Sequence, residues 1–335
     1  MNIGDLEYTD EIKKATDDIY QKVKDVIPPF EWPVYAPFIH KINQLKKEKN
    51  AVILAHNYMT PEIFHGIADI TGDSLALARE AVNIKADIVV LCGVHFMAET
   101  VKILNPSKTV LIPDLDAGCS LAESITPEDV RALRKKYPGV PVVTYVNTSA
   151  AVKAEVDICC TSGNAKEVVE SLDADEILFL PDQYLAANIQ KETGKKLITW
   201  PGSCEVHERF TAKEILDYKE SYKDLVVIAH PECPSEVVEA ADYAGSTSGM
   251  ISFVKEKKPA KVLMVTECSM SDNVAANTPD VQFIRPCNLC PHMKRITLPK
   301  ILKSLTSLEP QVELDQDMIE KAKGSIEKML AVKSR

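Results

Sequence analysis

From Ala51 onward, short runs of aliphatic and β-branched residues alternate with segments of helical period. That alternation predicts α/β units with parallel strands, because a parallel pair needs a helical crossover. A first unit has strands near 51–55, 88–91 and 109–112, with helices over 74–83 and 97–104. A second has strands near 140–145, 156–160, 176–180 and 197–200, and a third near 225–229, 240–243, 261–265 and 281–284. Charged helical segments flank these units. Residues 1 to about 30 form one, ending at Pro28-Pro29, and a helix over about 38–49 follows an irregular approach through Pro33 and Pro37. A closing helix with a frayed basic end is expected from Pro310. The predicted division is a helical segment over 1–50, α/β units over 51–119, 120–204 and 205–295, and a helical segment over 296–335.

The three units rhyme in their loops. First strands end in Ala55-His56-Asn57-Tyr58, Thr144-Tyr145-Val146-Asn147 and Ala229-His230-Pro231-Glu232; third strands end in Pro113-Asp114, Pro181-Asp182 and Thr266-Glu267. Polar residues thus gather where α/β sheets place ligands, at the C-terminal ends of strands. Cys204 follows a strand and the turn Pro201-Gly202, with Cys119 85 residues before it and Cys290 86 residues after it. Equal spacing suggests three similar units, each aiming one thiolate at a common point.

Composition narrows the function. A net charge of −10 argues against nucleic-acid or anionic-membrane surfaces, though not against a local phosphate pocket. No apolar run approaches the ~18 residues of a membrane span, and the first residues lack a signal peptide's basic start and apolar core. A cytoplasmic protein is expected, and its nine cysteines are then not a disulfide framework. Three thiolates leave one position of a metal or cluster open, which suits Lewis-acid chemistry. Two other readings stand beside this. Cys119 and Cys204 are also what small buried residues look like, and Cys287-Asn288-Leu289-Cys290 has the spacing of a redox pair.

Ten stretches together resemble the quinolinate synthase family of bacterial NAD biosynthesis. They are Ala55-His56-Asn57-Tyr58, Gly72-Asp73-Ser74-Leu75, Phe96-Met97-Ala98-Glu99-Thr100, Gly118-Cys119-Ser120-Leu121-Ala122 and Tyr145-Val146-Asn147-Thr148-Ser149-Ala150, then Thr161-Ser162, Cys204-Glu205-Val206-His207, His230-Pro231-Glu232, Gly245-Ser246-Thr247-Ser248 and Cys290-Pro291-His292-Met293. The resemblance implies three Rossmann-like αβα domains about a pseudo-threefold axis. It also implies a [4Fe–4S] cluster on Cys119, Cys204 and Cys290, with the fourth iron facing substrate. It leaves Cys287 unassigned and Cys92, Cys159, Cys160, Cys233 and Cys268 structural or incidental.

The implied reaction is that of a transferase, condensing iminoaspartate with dihydroxyacetone phosphate to quinolinate, phosphate and water. L-aspartate oxidase is the implied upstream source of the imine. Glu232 is the candidate general base, with His56, Tyr58 and His230 as donors or shuttles. Ser74, Tyr145, Val146, Asn147, Ser162, Pro231 and Thr247 join His56, His230 and Glu232 as substrate-binding candidates, and His207 and Glu208 are expected behind the cluster ligand. Each has a plainer explanation: Ser74 as a helix cap, Ser162 and Thr247 as turn residues, Tyr145 as core, the histidines as hydrogen-bonded loop residues. A zinc hydrolase built on the three cysteines and an iron–sulfur redox sensor are the rival functions.

Overall fold

A computed structural model describes residues 6–332. Its framework is three four-stranded parallel sheets with the same internal order. The first contains β1 (Ala51–His56), β2 (Ile70–Gly72), β3 (Ile88–Cys92) and β4 (Thr109–Leu111), ordered β2-β1-β3-β4. The second contains β5 (Val142–Tyr145), β6 (Ile158–Cys160), β7 (Glu176–Leu180) and β8 (Lys196–Thr199), ordered β6-β5-β7-β8. The third contains β9 (Leu225–Ala229), β10 (Tyr243–Ala244), β11 (Lys261–Val265) and β12 (Gln282–Ile284), ordered β10-β9-β11-β12. Central strands are mostly apolar because helices cover both faces of a parallel sheet; all five residues of β3 are buried.

A second repeated feature supports one plan for the three units. The aspartate preceding each second strand accepts the backbone N–H of the neighbouring first strand. Asp69 takes Ile53 N at 2.8 Å, Asp157 takes Val142 N at 2.7 Å and Asp242 takes Val227 N at 2.8 Å. Each aspartate also holds a cation from a helix: Lys46 at 2.7 Å, Arg134 at 3.0 Å and Lys219 at 2.9 Å. Register between first and second strands is thereby pinned by side chains as well as by the short ladder.

The second strands depart from the sequence expectation. β2 was not expected, and the run expected as a strand over 240–243 is split between the helix Ser235–Ala240 and β10. Ile70-Thr71-Gly72 and Tyr243-Ala244 hold no aliphatic run for a pattern to register, unlike the equally short β4, β6 and β12. At the N-terminal end the helices are Asp10–Val23 and Trp32–Glu48, the second starting earlier than expected. Pro33 sits in its first turn, where a missing N–H costs nothing, and Pro37 lies inside it on the buried face. The closing segment is two helices, Leu298–Ser307 and Gln316–Ala331. Leu298–Ser307 packs on Trp32–Glu48, while Gln316–Ala331 packs on β6 and the turn of helix Ala150–Lys153. The extreme N-terminus and the basic C-terminal residues lie outside the described residues. No helix among the described residues is long and apolar enough to cross a membrane.

Candidate functional site

One cavity of about 70 Å³ gathers the strand-end side chains of all three sheets. His56, Tyr58, Ser74, Tyr145, Asn147, Ser162, His230, Glu232 and Thr247 line it, together with Cys119, Cys204 and Cys290. Val146 and Pro231 do not. Val146 faces a small neighbouring apolar void, as the alternation of a strand end requires, and the Pro231 carbonyl is taken by Asn188 Nδ2 at 2.9 Å.

The first sheet delivers His56 and Tyr58 from the end of β1, and the third delivers His230 and Glu232 from the end of β9 by the same device. The N–H of Tyr58 donates to His56 Nδ1 at 3.2 Å, and the N–H of Glu232 donates to His230 Nδ1 at 3.4 Å. A ring whose Nδ1 accepts carries its proton on Nε2. Both histidines therefore present an Nε2–H donor, and that of His230 reaches Ser162 Oγ at 3.1 Å. Burial keeps both rings neutral, pulling His56 down to about 4 and His230 further, to about 3.

His207 connects the walls. Its Nδ1 lies 2.7 Å from Glu232 Oε2 and 3.2 Å from Cys204 Sγ, and its Nε2 lies 2.9 Å from Thr266 Oγ1. Thr266 in turn meets the Tyr58 hydroxyl at 2.6 Å. One consistent set of protons satisfies the chain: Tyr58 donates to Thr266, Thr266 to His207 Nε2, and His207 Nδ1–H to Glu232. The Tyr145 hydroxyl donates to the other oxygen of Glu232. Burial alone would raise the Glu232 carboxyl, but His230 and His207 and the bonds from His207 and Tyr145 hold it well below the ordinary range. Because His230 is itself neutral near pH 7, the two hydrogen bonds are what keep Glu232 ionised there. Burial, with Glu232 adding to it, drives both phenols well above their ordinary value, so Tyr58 and Tyr145 stay protonated.

Serine and threonine hydroxyls complete the surface. Ser74 is the first residue of the helix Ser74–Ala81, and the cap is Asp73, which accepts Ala76 N at 2.8 Å. Thr247 begins the helix Thr247–Lys257 after the cap Ser246. Thr247 Oγ1 also accepts Asn57 Nδ2 at 2.8 Å, linking the first and third sheets.

The cysteines share a local geometry. Each precedes a short helical turn: Ser120–Glu123 after Cys119, His207–Arg209 after Cys204 and Met293–Arg295 after Cys290. Each sulfur receives two backbone N–H groups, from residues two and three further along: Leu121 and Ala122, Val206 and His207, Pro291's successors His292 and Met293. Gly202 permits the Cys204 approach, since a Cβ there would lie 2.6 Å from the Pro181 carbonyl oxygen. Burial pushes the thiols up, Cys119 to about 12 and Cys290 to about 11, so a metal would displace protons on binding.

Cys287 is not paired with Cys290. It forms a disulfide with Cys268, against the expectation of no disulfides and of an incidental Cys268. The cause is tertiary: Glu267 and Asn288 form a parallel bridge that sets residues 268 and 287 side by side. Sequence reasoning placed His207 only behind the ligand, whereas it lines the cavity, and Glu208 is exposed and bonded to Ser203. It missed Thr266, Lys153 and Glu99 as site-forming groups. Their only signal was a polar residue inside an otherwise apolar strand end or helix.

Residues 40–331 match the family model described as Quinolinate synthetase A protein. Relatives named quinolinate synthase include one from Sinorhizobium fredii, 61% identical over 329 residues, which cover 98% of this chain and 92% of that one. Another, from Agrobacterium fabrum, is 61% identical over 314 residues, covering 94% and 91%. A third, from Caulobacter vibrioides, is 55% identical over 327 residues, covering 96% and 89%.

Proposed function

The chain belongs to the Quinolinate synthetase A family, and from that membership and the cavity's chemistry we propose that it condenses iminoaspartate with dihydroxyacetone phosphate, releasing quinolinate, phosphate and water in NAD biosynthesis. The observation that carries this reading is the convergence of three similarly built cysteine turns on the cavity that holds the histidine, tyrosine and glutamate network. Three half-buried cysteines, each sulfur with two N–H donors, form a donor set that fits an iron–sulfur cluster short of one protein ligand. Cys119, Cys204 and Cys290 would hold that [4Fe–4S] group, which when bound supplies a Lewis acid at its cysteine-free iron. The repeated strand order and aspartate pins support three Rossmann-like layers about a pseudo-threefold axis, with the units divided at 119 and 204.

The protein's own groups then divide the proton chemistry. Glu232, ionised, accepts a proton from carbon, and the chain from Tyr58 through Thr266 and His207 points its protons at that carboxylate and holds it in place. His56 and His230 donate hydrogen bonds from Nε2 to oxygens that gain negative charge, and the proton that Glu232 has taken goes to the departing hydroxyl, which leaves as water. Ser74, Ser162, Thr247 and Asn147 hold carboxylate and phosphate oxygens and orient the two carbon skeletons. An aspartate-oxidising enzyme such as L-aspartate oxidase would supply the imine.

A second reading is favoured by one observation. Donor atoms of Cys204, His207 and Glu232 lie within 4.8 Å of one another, a set suited to a single zinc ion in a hydrolase. Anaerobic purification separates the two. Iron with acid-labile sulfide, lost in Cys204→Ala, together with quinolinate formed from the two substrates, is the expected result. Zinc without sulfide, or a full cluster in Cys204→Ala, would overturn the first reading.

A further inference from the structure

The substrates proposed above carry carboxylates and a phosphate, yet among the described residues no lysine or arginine lines the cavity, while Asp73, Glu205 and Glu232 do. Lys294 lies close by but is tied to Glu267 at 2.9 Å. Another cation stands behind the wall: Lys153, which is wholly buried. Its Nζ donates to the Thr148 carbonyl and stands 5.3 Å from the centroid of the Phe96 ring, a ring that lines the cavity.

Thr148 follows Asn147, another residue of the cavity wall, whose Oδ1 is buried without a partner. The loop is gripped a second time two residues on, where Ala150 N donates to Glu99 Oε2 at 2.9 Å. Lys153 itself is fixed from behind: Ser325 of the closing helix donates to its carbonyl at 2.9 Å. A buried ammonium costs several kcal/mol of lost hydration in general, so a chain that keeps one needs a reason beyond packing.

We propose that Lys153 is a positioning and specificity residue: its ammonium fixes the loop that carries Asn147 and supplies the positive charge that favours a carboxylate against the Phe96–Asn147 wall. Burial draws the ammonium below its ordinary value, and the nearby Glu99 carboxylate draws it back up. In a low-dielectric wall a cation acts across a ring's thickness with little screening. The inference rests on the cavity being a dicarboxylate site.

The test is calorimetric binding of succinate and of its monoamide, succinamate, to the anaerobic holoenzyme, with displacement by quinolinate locating both in the cavity. Lys153→Met keeps the stem and removes the charge. It should weaken succinate roughly tenfold while moving succinamate less than about twofold. Glu99→Gln keeps an acceptor for Ala150 N and removes the opposing charge, so it should tighten succinate by roughly twofold to threefold. Its opposite sign carries the test if Lys153→Met does not fold. Equal weakening of both ligands, or no change in their ratio in either variant, would overturn the role of Lys153. Failure of the wild-type protein to bind succinate would overturn the dicarboxylate reading and this inference with it.

Discussion

The ends of β1 and β9 are built alike and behave differently. Each ends in a histidine whose Nδ1 is hooked by the N–H two residues later. In the first sheet that later residue is Tyr58, a phenol that burial keeps protonated; in the third it is Glu232, a carboxylate kept ionised by two hydrogen bonds. The middle residues differ as well. Asn57 reaches across to Thr247 of the third sheet, while Pro231 has no N–H to offer and its carbonyl goes to Asn188. The same backbone device thus presents a proton donor on one side and an acceptor on the other. What separates acid from base here is the single side chain two positions past the histidine, and its hydrogen-bond partners.

Removing the acceptor should have the largest effect. Glu232→Gln keeps the bonds' geometry but abolishes the base, and kcat should fall by roughly 10³-fold with iron and sulfide content unchanged. Wild-type turnover in that variant would dissolve the distinction between the two strand ends. Tyr58→Phe strips the donor end of the relay through Thr266 and His207, and a loss of roughly 10- to 100-fold in kcat is expected. A loss confined to KM would assign the phenol to substrate binding instead.

A histidine just beyond the first strand end provides a control. His65 lacks the hook, its Nε2 is buried without a partner, and burial pulls it down to about 4. Between the unfolded value of 6.5 and about 4, the unfolded chain binds more protons than the folded one, so stability rises with pH across that window and is lost as pH falls through it. One such group contributes about 2 kcal/mol between pH 8 and pH 5. Urea unfolding of His65→Gln should therefore show a flatter acid limb by about that amount, with the shares of His56 and His230 remaining; an unchanged slope would place His65 in water. The smallest expected effect is that of Asn57→Ala. It deletes the link to Thr247 and should cost about 1 kcal/mol of stability, read from the urea midpoint. Pro231→Ala, which leaves the carbonyl in place, should cost less.

Legibility of the fold followed the aliphatic runs. First and third strands of four to six residues were read from their apolar runs, and the loops after the first strands rhymed as expected, but the third-strand rhyme was out of register in the first unit: Pro113-Asp114 follows β4, and the strand matching β7 and β11 is β3, which ends at Cys92. β2 was missed and β10 was placed too early, because Ile70-Thr71-Gly72 and Tyr243-Ala244 carry no aliphatic run, and their register rests on Asp69 and Asp242 bonding a different strand. The site was legible where chemistry sits at strand ends: His56, Tyr145, His230, Glu232 and the three cysteines. Thr266 and Lys153 were not, since a threonine ending an apolar strand and a lysine in a short helix look ordinary in one dimension.

The chain's local pattern determined the α/β alternation, the threefold repeat of loops and the equal spacing of Cys119, Cys204 and Cys290, because each depends on residues near one another in sequence. Only the folded arrangement decided that Cys287 meets Cys268 rather than Cys290, that His207 joins Glu232 to Cys204, and that Lys153 stands behind Phe96. Those pairings depend on which strand ends face each other across the cavity. Burial then fixed the proton states, since removing water sets how much each neighbouring charge and hydrogen bond counts.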